Sequence, residues 1–60
     1  MALYAIHFYD FGDNIRSTHH VEHFNDEAAV AEAHRLNVLP HISAGFEVWD
    51  GARLVHQHDN

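Results

Sequence analysis

The chain has 60 residues, 47% of them apolar and 12% aromatic, which marks a folded chain rather than a disordered one but allows only one small domain (residues 1–60) with a marginal core. It has no cysteine, so disulfides, thiolate metal sites and thiol catalysis are excluded, and stability must come from a compact core, association or histidine-bound metal. Nine carboxylates against Arg16, Arg35 and Arg53 give a formal charge of −6, which repels nucleic acid and leaves no basic patch to overcome that repulsion.

In chain order, residues 2–9 (Ala-Leu-Tyr-Ala-Ile-His-Phe-Tyr) are rich in aliphatic and aromatic side chains and predict a strand. Asp10-Phe11-Gly12-Asp13-Asn14 predicts a turn in which Gly and Asn can take positive φ. Residues 16–24 predict a second, weaker strand, so the first half is a hairpin. A helix is predicted over about 26–37. Asn25 or Asp26 can cap it, Glu27 suits its dipole, and Ala28, Ala29, Ala31 and Ala33 favour it intrinsically. Ala29, Val30, Ala33 and Leu36 fall on one thin apolar face, with Glu27, His34 and Arg35 pointing away. Asn37 begins the exit, and Pro40 forbids continuation. Phe46-Glu47-Val48-Trp49 predicts a third strand, Asp50-Gly51 a type I′ turn, and Arg53 to His58 a fourth strand.

The expected fold is therefore α+β: a ββαββ chain whose two hairpins form an antiparallel sheet, with one helix on one face. If Tyr4, Ile6 and Phe8 face the helix, then Leu3, Ala5, His7 and Tyr9 face away. A turn pairing Trp49 with Ala52 and Phe46 with Val55 puts Phe46, Val48 and Val55 on one face and Trp49, Leu54, His56 and His58 on the other. One helix cannot cover both faces. Leu3, Ala5, Tyr9, Trp49 and Leu54 are then the expected contacts of a homodimer or protein partner. For Trp49, interface and core stay balanced, because the turn length decides its face.

Tyr4-Ala5-Ile6-His7-Phe8, the helix from Asp26 to Ala33, and Phe46-Glu47-Val48-Trp49-Asp50-Gly51 with Arg53-Leu54-Val55 together resemble a group of short, uncharacterised bacterial proteins. In that group an aromatic-x-aromatic-His strand, a D-x-A-A-type helix and an EVWDG-R-V-type hairpin recur. The resemblance spans nearly the whole chain and supports the same element order. It implies no known activity. His7 matches a position often occupied by histidine there.

The eight histidines are the chemistry on offer, since imidazole titrates near neutral pH and is the commonest metal ligand. His56-Gln57-His58 puts two imidazoles about 7 Å apart on one strand face. His7 would share that face, and so would His20 if the first hairpin has a four-residue turn. If the first and last strands are neighbours, His7, His20, His56 and His58 converge as a set suited to Zn²⁺, Cu²⁺ or Ni²⁺. His19 and His23 lie about 13 Å apart on a strand, too far to share an ion. His34 is expected on the helix's polar face and His41 in a loop.

Catalysis is not expected. H-E-x-x-H, a nucleophile elbow and a Walker loop are all missing, and so small a shell can hardly enclose a substrate around Ser17 or Ser43. Asp10 and Asp13 read as turn carboxylates. No signal peptide or membrane-length apolar run is apparent, so a cytoplasmic protein without a membrane partner is expected. The leading expectation is a non-enzymatic domain acting by association, and the alternative is a histidine-based metal-binding or metal-sensing protein. The pI of about 5.6 means that histidine protonation cancels most of the charge, so solubility or association should change between roughly pH 7 and pH 5.5.

Overall fold

A computed structural model of the chain describes residues 1–38 and 42–60. Pro40 and His41, expected in the helix exit and the loop after it, lie outside the described residues. The elements run β1 (Ala2–Tyr9), β2 (Ile15–His23), α1 (Asp26–Leu36), β3 (Gly45–Asp50) and β4 (Arg53–Asp59). All neighbouring strands are antiparallel, in the order β2-β1-β3-β4. The ββαββ fold is thus as expected, with β1 and β3 in the middle of the sheet and β2 and β4 at its edges. No helix among the described residues is long and apolar enough to cross a membrane.

The helix begins where its chemistry allows. Asn25 is the cap, and its side-chain oxygen accepts from the Ala28 backbone N–H at 2.8 Å. Asp26 and Glu27 occupy the electropositive first turn, and His34 and Arg35 the last. Ala29 and Ala33 are fully buried, so nothing bulky separates this face from the sheet. The core they complete is Tyr4, Ile6 and Phe8 from β1 and Phe46 and Val48 from β3. Val21, Val30, Leu36 and Val55 close its margins. Burying each large side chain of this set stabilises the fold by about 1.5–3 kcal/mol.

Two irregularities set the faces of the edge strands. In the first hairpin, Phe8 pairs with Ser17 but Tyr9 with Ile15, so Arg16 is an extra residue. The loop before it is held by the Asp10 carboxylate, which accepts from Gly12 N at 2.8 Å and Asn14 N at 3.0 Å. The left-handed residue there is Asp13 (φ 63°), where Gly12 or Asn14 was expected.

The second hairpin turns one place later than expected. Asp50 pairs with Arg53, so Gly51 and Ala52 make the connection, and Gly51 alone takes positive φ (59°). Glycine at the first central position matches a type II′ turn rather than type I′. That displacement moves the partner of Trp49 from Ala52 to Leu54, two residues on, which preserves its face. A bulge then does what the turn did not. Trp49 pairs with Leu54 but Val48 with His56, leaving Val55 extra. Beyond it every side chain of β4 changes face relative to expectation. Val55 still packs on the core, but His56 and His58 lie opposite Val48 and Phe46, on the helix side of the sheet.

Candidate metal centre

The four histidines expected to converge do not. His7 lies opposite Thr18 and Glu47, and its Nδ1 is 2.8 Å from Thr18 Oγ1. His20 lies opposite Ala5, on that same outer face, as the hairpin register required. His56 and His58 face the other way, and β4 is separated from β1 by β3. The expected set is therefore divided between two faces of the sheet. The physical cause is the single extra residue, Val55, together with a strand order in which the first and last strands are not neighbours.

In place of that set, His56 and His58 meet His34. One candidate ligand nitrogen from each of the three lies within 4.8 Å of the other two. His34 was expected to point away from the sheet; although exposed, its ring reaches over the sheet edge. It sits one turn after Val30, on the flank of the buried stripe, and the alanine face lets the helix lie close enough for that reach. The His34 and His58 rings have centroids 4.8 Å apart, and His34 and His56 6.0 Å.

Phe46 is the floor of this cluster. The His58 ring stacks on it at 5.1 Å, the His34 ring meets it edge-on at 5.0 Å, and His56 is 6.1 Å away. Phe46 is itself buried, so the three imidazoles are braced on a rigid apolar wall on one side and open to solvent on the other. Gly45 keeps β3 tight against β4 here. A Cβ at that position would collide with the His58 carbonyl oxygen, so the backbone bearing His58 can approach only a glycine.

The donor set fits a transition metal. A tetrahedral ion with bonds of about 2 Å needs its nitrogens about 3.3 Å apart, so the cluster must contract by roughly 1.5 Å at most. His34, the exposed member, has the freedom to supply that movement. Three imidazoles without thiolate or carboxylate suit Zn²⁺, Cu²⁺ or Ni²⁺ rather than Mg²⁺ or Ca²⁺. A fourth position would be left to water.

His23 and His19 have separate partners. His23 Nε2 contacts Glu32 Oε1 of the helix, an ion pair when the imidazole is protonated. His19 meets Phe8 edge-on at 5.7 Å. Of the residues expected at an interface, Ala5, Trp49 and Leu54 form one transverse row on the face away from the helix, with Leu3 and Tyr9 on the same face. Trp49 is therefore not a core residue; its indole N–H donates to Glu47 Oε1 at 3.0 Å, and the Tyr9 hydroxyl donates to the same oxygen at 2.7 Å. That bond holds the Tyr9 phenol proton and raises its pKa above 10.0. Ile15, opposite Tyr9, belongs to this face as well and was not foreseen, because it stands before the expected strand. Comparison with protein-family models, curated proteins and solved structures finds no match for this chain.

Proposed function

We propose that the protein binds a divalent transition metal, Zn²⁺, Cu²⁺ or Ni²⁺, through His34, His56 and His58. The observation that carries this reading is the convergence of three imidazoles from two elements on one buried phenylalanine. A solvated histidine coat would not be expected to gather this way, since protonated rings repel one another. The role is binding rather than catalysis, in a protein expected to be cytoplasmic.

Metal that binds only the folded chain raises its stability by linkage, about 2.7 kcal/mol at a hundredfold excess over Kd. For a domain this small that is a rise in Tm on the order of 10–20 °C. Titration of the three ions, followed by thermal melting, tests the proposal. The rise should vanish in His34→Ala and His58→Ala and persist in His7→Ala and His20→Ala. No rise with any ion at stoichiometric excess, or an equal rise in all four variants, would overturn it.

A further inference from the structure

Among the described residues, no element packs over the face of the sheet turned away from the helix. Leu3 is 59% exposed, Ile15 53% and Leu54 43%, and register puts all three on that face. Between them run Ala5, Tyr9 and Trp49. We infer that this face is the contact surface of a symmetric homodimer, two copies packing sheet on sheet.

Three observations choose a second copy as the occupant. The first is area. The sheet has four strands of 6 to 9 residues, about 4.8 Å apart and rising about 3.3 Å per residue. The open side therefore spans roughly 480 Å² per copy, or about 1,000 Å² per pair, at the lower bound for a specific interface. The second is charge. A chain at −6 repels itself, but Asp26, Glu27 and Glu32 ride on the helix and Asp50 pairs with Arg53, away from this face. The central carboxylate of the face, Glu47, already accepts from Tyr9 and Trp49, and His7 is bonded to Thr18. Covering them leaves few polar groups without partners. The third is shape. An apolar row flanked by polar residues (His20 and Glu22 on one side, Gln57 and Asp59 on the other) is the core-and-rim pattern of an interface, and a two-fold axis lets the same row serve both partners.

The test is sedimentation velocity in the presence of EDTA, so that metal-bridged association is excluded and the result stands apart from metal binding. The wild type should rise from the monomer mass of 6.9 kDa toward twice that value with concentration. Emission from Trp49, the one tryptophan of the chain, should shift to the blue in parallel. Leu54→Glu and Leu3→Glu substitute exposed positions, so both should keep the wild-type circular dichroism while weakening association by about tenfold or more. A wild type that stays monomeric at high micromolar concentration would overturn the inference. So would a dimer that neither variant weakens, since its contact would then lie along a strand edge.

Discussion

The helix reaches over both edges of the sheet and meets histidine at each, but the two edges are built on opposite electrostatics. At β2, His23 faces the Glu32 carboxylate. At β4, His34 faces the imidazoles of His56 and His58 over the Phe46 ring. A proton on His23 creates an attraction, whereas protons on the β4 cluster create repulsion. The same residue type in one small fold is therefore a charge-pair partner on one side and, in our proposal, a metal ligand on the other. Neighbours, not residue type, decide the role. The count of eight histidines says nothing of this division, which depends on which strand face each one occupies.

The largest effect that separates the two edges should come from Phe46→Ala. Phe46 is part of the buried core and braces all three imidazoles of the β4 cluster, but it has no part in the His23–Glu32 contact. Removing a buried phenylalanine costs about 3–5 kcal/mol, which a chain this short can hardly absorb. Urea unfolding should show a largely unfolded protein without metal. Phe46→Leu keeps most of the burial and should fold, yet it removes the stacked wall behind His58 and should bind metal less tightly than wild type. Equal affinity in Phe46→Leu would show that the wall does not organise the ligands.

Much of the fold was readable because it rests on local periodicity. The alternation of β1, the alanine-rich helix with its Asn25 cap, and the turn signal at Asp50-Gly51 are each written within a dozen residues. The expected register also placed His20 on the face opposite the helix correctly, because the first turn closes one residue early, with Ile15 rather than Arg16 opposite Tyr9, and the bulge at Arg16 restores the pairing of the rest. The site was not readable for two physical reasons. A bulge is a property of paired strands, and nothing in Leu54-Val55-His56 distinguishes a regular strand from one carrying an extra residue. That one residue exchanges the face of His56 and His58. The reach of His34 depends on how near the helix lies to the sheet, which Ala29 and Ala33 set only once the packing exists. The face of the half-buried Trp49 likewise follows from register, which local sequence does not fix.

The β2 edge can be tested by Glu32→Gln, which keeps the shape of the side chain and removes its charge. Partly buried pairs of this kind contribute about 0.5–1 kcal/mol, so the loss of stability, read as a fall in Tm, should be modest. Metal binding at the β4 edge should be unchanged. A loss of metal response in Glu32→Gln would mean that the two edges are coupled through the helix rather than independent.

The smallest effect concerns the other carboxylate of the helix that ties it to the sheet. Arg53 donates to Asp26 from both guanidinium nitrogens, at 3.0 and 3.1 Å, and to Asp50 at 2.9 Å, while the Tyr4 hydroxyl donates to Asp26 at 2.7 Å. Arg53 first, and Tyr4 second, hold the Asp26 carboxyl below its ordinary value of 3.8. The folded chain therefore binds that proton less readily than the unfolded chain. The contribution of Asp26 is complete above the ordinary value and disappears as pH falls through the lower folded one. The Tm difference between wild type and Asp26→Asn should be constant near neutrality, shrink below about pH 4 and vanish in stronger acid. The same hydrogen bond raises the Tyr4 phenol above 10.0, so its contribution is present below that value and lost as pH rises through the raised one. Asp26→Asn should let Tyr4 ionise at lower pH, as an ultraviolet titration would record. A Tm difference that persists undiminished into strong acid would assign the effect to the position of Asp26 in the first helical turn and not to its charge.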